Sequence, residues 1–157
     1  MNEQASLLGM KNSNFAVAHG MHHDQNYSTA YDIAVLCQAA MEHELIREVV
    51  GTQVRQSNSR EFLGHVYKWE NTNMLLKEGY DGLKTGITPT AGPCLAASIQ
   101  KDNYTVVVVV LSCCSMESRW YEVPKLVNWG LKKITKLMNS SLRPKLKKKI
   151  LKSITYI

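Results

Sequence analysis

The stretch Gly82-Leu83-Lys84-Thr85-Gly86-Ile87-Thr88 decides how the rest of the chain is interpreted. It places a cation and a hydroxyl side by side between two glycines, which lack a Cβ and therefore let backbone and ligand approach closely. On a strand edge, Lys84 would offer a positive charge, Thr85 a hydroxyl, and the main chain its N–H groups to an extended substrate. A surface loop with a solvated lysine is the alternative, and the stretch alone does not separate the two.

Turn residues and apolar runs after this stretch predict an antiparallel hairpin. Residues 88–92 have the composition of a turn. Two strands follow, over about 93–100 and 104–112, joined by a turn at residues 101–103. The run Val106–Val110 is apolar on both faces, which predicts a central strand covered on both sides.

Helical periodicity flanks the predicted strands on both sides. Thr29 is placed to cap one helix, and Gly9 to end another. Residues 52–70 alternate loosely and predict a hairpin of two modest strands. The predicted helices cover about residues 2–8, 29–41, 44–50 and 116–138.

Composition and charge exclude several classes of protein. The 157 residues, 45% hydrophobic and 20% charged, fit one globular domain with a core. After Lys125 there are nine Lys and Arg residues and no acidic residue, whereas the preceding chain has ten basic and thirteen acidic residues. Because the net charge of +6 comes from the C-terminal part, we expect no nucleic-acid-binding body. The first residues show no signal-peptide pattern, and no apolar run is long enough to cross a bilayer.

Potential metal ligands form no convincing pattern. The cysteines lack CxxC spacing, and we interpret them as small buried hydrophobes. Three histidines and Asp24 within residues 19–24 could bind a metal, but a solvated loop is the simpler interpretation. We therefore expect no metal site. The cysteines are Cys37, Cys94, Cys113 and Cys114.

Short motifs in order along residues 1–135 resemble the serine D-alanyl-D-alanine carboxypeptidases, the low-molecular-mass penicillin-binding proteins. The central match is the segment 81–86, which contains the family's Lys-Thr-Gly motif. Each piece alone is weak, and together they are highly specific. The other pieces are Met1-Asn2, Ala5, Leu8-Gly9-Met10, Asn12, Phe15, His19-Gly20, Tyr27-Ser28-Thr29-Ala30-Tyr31-Asp32, Asn71-Thr72-Asn73, Leu75-Leu76, Ala91-Gly92, Cys94-Leu95, Arg119 and Trp129-Gly130.

The resemblance implies a fold and a covalent mechanism. The fold would be α/β of the α+β type, part of a penicillin-binding transpeptidase and β-lactamase-like fold with an antiparallel sheet flanked by helices. In the family a serine attacks the peptide carbonyl, a lysine acts as base, and water releases the acyl-enzyme. Peptidoglycan stem peptides and β-lactams would be the partners of a complete enzyme. The family acts in the cell envelope and needs no metal or organic cofactor.

The resemblance also assigns the site residues. Lys84 and Thr85 would hold the terminal carboxylate of the substrate and join the proton network. The backbone N–H of Ile87 would supply one half of the oxyanion hole. The substrate-binding set is therefore Lys84, Thr85, Gly86 and Ile87, and the catalytic assignment rests on the first two.

The sequence departs from the family in two motifs. Ser-x-Asn does not occur, and Ser-x-x-Lys occurs once, at Ser98–Lys101. That stretch is a predicted strand, where an odd offset sends the two side chains to opposite faces. We therefore expect residues 1–138 to be the C-terminal part of a catalytic domain, inactive alone. The alternative is a non-catalytic peptide-binding or interaction protein that retains the Lys-Thr-Gly edge.

Two surface hypotheses complete the interpretation. Without the first strands of the family sheet, Val106–Val110 would become an exposed apolar edge, which predicts self-association. In the basic tail, residues 139–157, leucines and isoleucines alternate with lysines. This pattern fits a basic amphipathic helix over 140–157 on an anionic membrane surface, or a solvated charged face. We expect Trp69, Trp120 and Trp129 to pack in the core or a groove.

Overall fold

The computed structural model describes residues 1–57 and 65–146. Within these ranges the chain folds into helices and antiparallel strands, as the α+β prediction requires. The helices are α1 (Asn2–Leu7), α2 (Ala30–Ala40), α3 (Glu44–Gly51) and α4 (Ser118–Met138), with a 3-10 helix at Met74–Glu78. The strands are β1 (Val54–Gln56), β2 (Lys68–Glu70), β3 (Gly82–Thr88), β4 (Gly92–Lys101) and β5 (Tyr104–Val110).

The principal sheet has three antiparallel strands in the order β3-β4-β5. Lys84 lies opposite Ala96, and Leu95 lies opposite Val110. The predicted β4–β5 hairpin is confirmed. Its two turn residues, Asp102 and Asn103, have φ of 52° and 65°, which is the left-handed conformation that a two-residue hairpin turn needs.

Helices cover both faces of this sheet. Val108 packs with residues of α4 on one face, while Val107 and Val109 pack with residues of α2 on the other. The prediction that this valine run is covered on both sides is therefore confirmed. In the described ranges β5 pairs with β4 alone and forms an edge of the sheet. The central position predicted from the apolar run is therefore wrong, and the edge position predicted from the resemblance is confirmed.

A buried carboxylate fixes the start of α2. Thr29 caps the helix as predicted, its hydroxyl accepting from the Asp32 N–H at 3.1 Å. Asp32 is 1% exposed. Its carboxylate accepts from the Asn12 N–H at 2.8 Å and the Ser13 hydroxyl at 2.7 Å. These bonds compensate the burial of the charge and tie the preceding loop to the helix.

The end of α3 lies against the start of β3, at a position that requires glycine. Gly82 has φ of +123°, and a Cβ there would lie 2.3 Å from the carbonyl oxygen of Val50. The next residue, Leu83, has φ of +89°, which is strained for a branched side chain. The chain therefore enters the Lys-Thr-Gly strand by a tight and specific path.

The predicted hairpin within residues 52–70 is present as β1 paired with β2, with Arg55 opposite Trp69. The segment that joins these strands, 58–64, lies outside the described residues, as do residues 147–157 of the proposed tail helix. In the described part, none of the helices has the length and apolar character that crossing a membrane demands.

Candidate functional site

Lys84 and Thr85 present their polar groups near solvent on β3. Lys84 is exposed, and its ammonium donates to the main-chain carbonyl of Thr85. Thr85 is half-buried, and its hydroxyl lies 2.6 Å from that of Thr72. A positive charge and an oriented hydroxyl thus lie next to each other on a strand, which excludes the solvated-loop alternative for this stretch.

Residues 71–73 bracket this strand from the side. The Asn73 side chain is buried and donates to the Gly82 carbonyl at 3.0 Å, while it accepts from the Leu75 N–H at 3.1 Å. Asn71 donates to two carbonyls at the end of α3, at 3.0 and 3.1 Å. Thr72, between them, contacts Thr85. Residues 71–73, which the sequence matched to the family without a structural role, thus support β3.

A buried cation lies behind the same strand. Arg119 is 6% exposed. Its guanidinium donates to the carbonyls of Gly86 at 3.4 Å and Cys94 at 3.2 Å, and it lies 4.5 Å from the ring centroid of Trp120. The sequence resemblance includes Arg119 but assigns no role to it. The structure shows a guanidinium that joins α4 to β3 and β4 beside the Lys-Thr-Gly motif.

The loop of histidines reaches the turn after β3. The Nδ1 atom of His22 lies 3.0 Å from the Thr90 hydroxyl, and its Nε2 atom lies 3.1 Å from a carboxylate oxygen of Asp24. Ile87, just before this turn, is 57% exposed. The loop therefore borders the end of the strand where the oxyanion donor is expected. Across residues 1–57 and 65–146, no three His, Cys, Asp or Glu side chains are grouped as metal ligands.

Ser98 does not have the surroundings of a nucleophile. It is fully buried on β4, as the strand prediction required, and its hydroxyl lies 3.3 Å from a carboxylate oxygen of Asp81. Burial raises the pKa of Asp81, and the bond from Ser98 partly opposes that shift. Lys101 lies at the exposed end of the same strand.

The cysteines follow their predicted burial only in part. Cys37 is buried in the cluster between α2 and the sheet, and burial raises its pKa to about 11. Cys94 and Cys113 are half-buried, and Cys114 is exposed. The interpretation as small core hydrophobes therefore holds for Cys37 and is wrong for Cys114.

The proposed site is an open edge rather than a cavity. A cleft of about 480 Å³ lies between α3 and the β1–β2 hairpin, and Val49, Arg55 and Trp69 are among its lining residues. Its walls include no residue of β3. Extended peptides add to sheet edges through main-chain hydrogen bonds and need no cavity. A peptide site on β3 is therefore compatible with a cleft that lies elsewhere.

Comparison with known proteins places this arrangement in a family. A family model described as D-alanyl-D-alanine carboxypeptidase matches residues 1–114. The D-alanyl-D-alanine carboxypeptidase DacF of Bacillus subtilis is 34% identical over 136 residues, which are 83% of this chain and 33% of that protein. DacA of Escherichia coli is 33% identical over 135 residues, covering 84% of this chain and 32% of that protein. The chain thus spans about a third of these relatives.

Solved structures show the same fold. The DD-transpeptidase of a Streptomyces strain superposes with a TM-score of 0.76 at 31% identity, over 83% of this chain and 52% of that one. A penicillin-binding protein of Listeria monocytogenes in a cefotaxime-bound form gives a TM-score of 0.71 at 30% identity, over 81% of this chain and 51% of that one. The matched part is about half of each of these chains.

Proposed function

Because the chain belongs to the D-alanyl-D-alanine carboxypeptidase family, we propose that the outer edge of β3 binds the C-terminal end of a peptidoglycan stem peptide. The observation that carries the proposal is the exposed Lys84 beside Thr85, on a strand that pairs with β4 alone in the described ranges. A peptide would add to this edge as a further strand. Its terminal carboxylate would accept charge-assisted hydrogen bonds from Lys84 and Thr85.

In a complete site of this family, the same edge would serve serine-type hydrolysis of the D-Ala-D-Ala bond. The N–H of Ile87 would donate to the oxyanion of the tetrahedral intermediate, and the serine would carry the acyl group. Arg119 would hold the Gly86 carbonyl and so keep this part of β3 in position. The cefotaxime-bound neighbour supports β-lactams as further ligands. A location in the cell envelope belongs to the same proposal.

For this chain by itself we propose binding without acylation. Its one Ser-x-x-Lys match places Ser98 in the core, and Ser-x-Asn does not occur in the sequence. A non-catalytic peptide-binding role at the same edge is the second candidate, and the same observation favours it. Both candidates require peptide binding, and they differ in whether the site forms an acyl-enzyme with the missing motifs supplied.

Peptide binding is tested by titrating a peptide that ends in D-Ala-D-Ala. We expect Lys84→Met to weaken binding by about 10- to 100-fold, since a charge-assisted bond is worth about 1.5–3 kcal/mol. Lys101→Met is the matched control, because Lys101 is exposed at the far end of β4. Equal losses in both variants would refute a specific role for Lys84.

The absence of acylation is tested with a fluorescent penicillin. The purified chain should carry no covalent label that survives denaturing electrophoresis. A label that is lost when the protein is boiled before addition would show a folded nucleophile and overturn this part of the proposal. A Ser98→Ala variant would then show whether Ser98 is responsible.

A further inference from the structure

Helix α4 turns a basic and aromatic face to solvent. Its buried residues share one side of the helix, and the opposite side carries side chains spaced three or four apart. Tyr121 is 65% exposed and Trp129 40% exposed. The basic-aromatic face consists of Tyr121, Lys125, Trp129, Lys132, Lys133 and Lys136, all exposed.

Little negative charge offsets this face. Glu122 is the last acidic residue of the sequence, and it pairs with Lys125 at 2.8 Å. Lys133 lies 5.5 Å from the ring centroid of Trp129. Lys132 and Lys136, one helical turn apart, belong to none of the ion pairs found among residues 1–57 and 65–146. The face therefore keeps a positive potential, and the sequence after α4 adds only basic charges.

A cavity borders the same face. It has a volume of about 460 Å³ and lies between the C-terminal half of α4 and the β4–β5 turn. Lys101, Lys132 and Lys136 are among the residues that line it, and Asp102 is the one acidic residue among them. Three lysines around one opening give it a positive charge, and lysine ammonium groups can donate charge-assisted hydrogen bonds to the oxygens of a phosphate group.

We propose that the basic-aromatic face docks the protein on an anionic phospholipid surface. Tyr and Trp rings favour the headgroup level of a bilayer, where their apolar part contacts lipid and their polar group contacts water. Lysine stems lie along apolar surface while their ammonium groups reach lipid phosphates. Trp129 and Tyr121 would enter the interface, and the cavity would receive one headgroup phosphate between Lys132, Lys136 and Lys101. The helix would lie on the membrane plane, and this contact is independent of the peptide edge.

The test is co-sedimentation of the full chain with vesicles. Vesicles of phosphatidylcholine with phosphatidylglycerol should bind the chain at least tenfold more tightly than pure phosphatidylcholine. Lys132→Glu with Lys136→Glu should reduce that binding at least tenfold. Lys11→Glu with Lys77→Glu, the same charge change at exposed lysines elsewhere, should change it less than threefold. Far-UV circular dichroism would confirm that each variant is folded.

Two further arms separate this face from the tail and from free phosphate. With Lys147, Lys148 and Lys149 all changed to Glu, binding should weaken but still depend on Lys132 and Lys136. Inorganic phosphate at 10 mM should not displace the chain beyond the effect of matched ionic strength. Equal binding to neutral vesicles, no effect of the Lys132 and Lys136 reversal, or displacement by phosphate itself would each overturn the proposal.

Discussion

The two edges of the β3-β4-β5 sheet differ in what they leave open. Along β3 an exposed Lys84 and a half-buried Thr85 lie next to a main chain that residues 71–73 and Arg119 support. Along β5 the valines 107–109 are 2–6% exposed because α2 and α4 cover both faces. A strand edge can bind a peptide selectively where polar side chains lie beside main-chain groups that have no strand partner. Where helices hide the side chains, the remaining row of main-chain groups favours self-association.

The largest expected effect concerns the glycines of β3. Gly82→Ala should lower the free energy of unfolding by about 3 kcal/mol or more, because the added Cβ meets the Val50 carbonyl and the positive φ becomes strained. Gly86→Ala should change it by less than about 1 kcal/mol, since no atom lies within 4 Å of the position that its Cβ would take. Urea denaturation of both variants measures the difference. Similar values for the two would show that the β3 entry is not constrained as described.

The second-largest effect is expected at Arg119, the buried cation behind β3. Arg119→Met should destabilise the fold by about 2 kcal/mol, because it removes the hydrogen bonds from the buried guanidinium to the Gly86 and Cys94 carbonyls. It should also weaken peptide binding by loosening β3 near Gly86. Lys125→Met, on the exposed side of the same helix, serves as the control and should cost less than about 0.5 kcal/mol. Unchanged peptide affinity in a folded Arg119→Met protein would limit Arg119 to a structural role.

The β5 edge predicts concentration-dependent self-association. Thr105 is exposed on this strand, so Thr105→Lys places a charge on the edge at little cost to the core. We expect it to weaken self-association by about tenfold, equivalent to about 1.4 kcal/mol. Sedimentation velocity over a concentration series measures this. A wild-type chain that stays monomeric throughout would refute the hypothesis about this edge.

The smallest effect is a pH dependence at Asp81. Because burial raises its pKa in the folded state above the ordinary value, the folded chain binds this proton more tightly than the unfolded chain. The stability that Asp81 contributes is therefore full below its unfolded pKa and is lost as pH rises through the folded pKa. Relative to wild type, Asp81→Asn should gain stability as pH rises from about 4 towards neutrality. A difference that stays constant with pH would contradict the direction of the shift.

Local patterns in the sequence predicted what local forces determine. The Thr29 cap, the turn at Asp102 and Asn103, and the strand position of Ser98 all follow from near neighbours along the chain. The contact between His22 and Thr90 joins residues 68 positions apart, and neither residue type signals it. Trp129 was expected to pack and instead lies on the exposed side of α4, because an aromatic ring on a mixed face fits either position.

The valine strand β5 shows a second limit of prediction from sequence. An apolar run tells which faces are covered, and this prediction for Val106–Val110 is confirmed. The sequence gives no such signal for whether a strand has neighbours on both sides in the sheet, because main-chain hydrogen bonds do not depend on side-chain polarity. The apolar run alone therefore could not decide between a central and an edge position for β5, whereas the resemblance to the family predicted the edge. The roles of Arg119 and Asn73 were missed for a related reason, since their partners are main-chain carbonyls.

We propose that the edge of β3 recognises a peptide's terminal carboxylate through Lys84, and the functional assignment depends on this contact. Calorimetric titration with a D-Ala-D-Ala peptide and with its C-terminal amide tests it most directly. The free acid should bind about tenfold more tightly than the amide, and Lys84→Met should remove this preference. Equal affinity for the two peptides in the wild-type chain would contradict it.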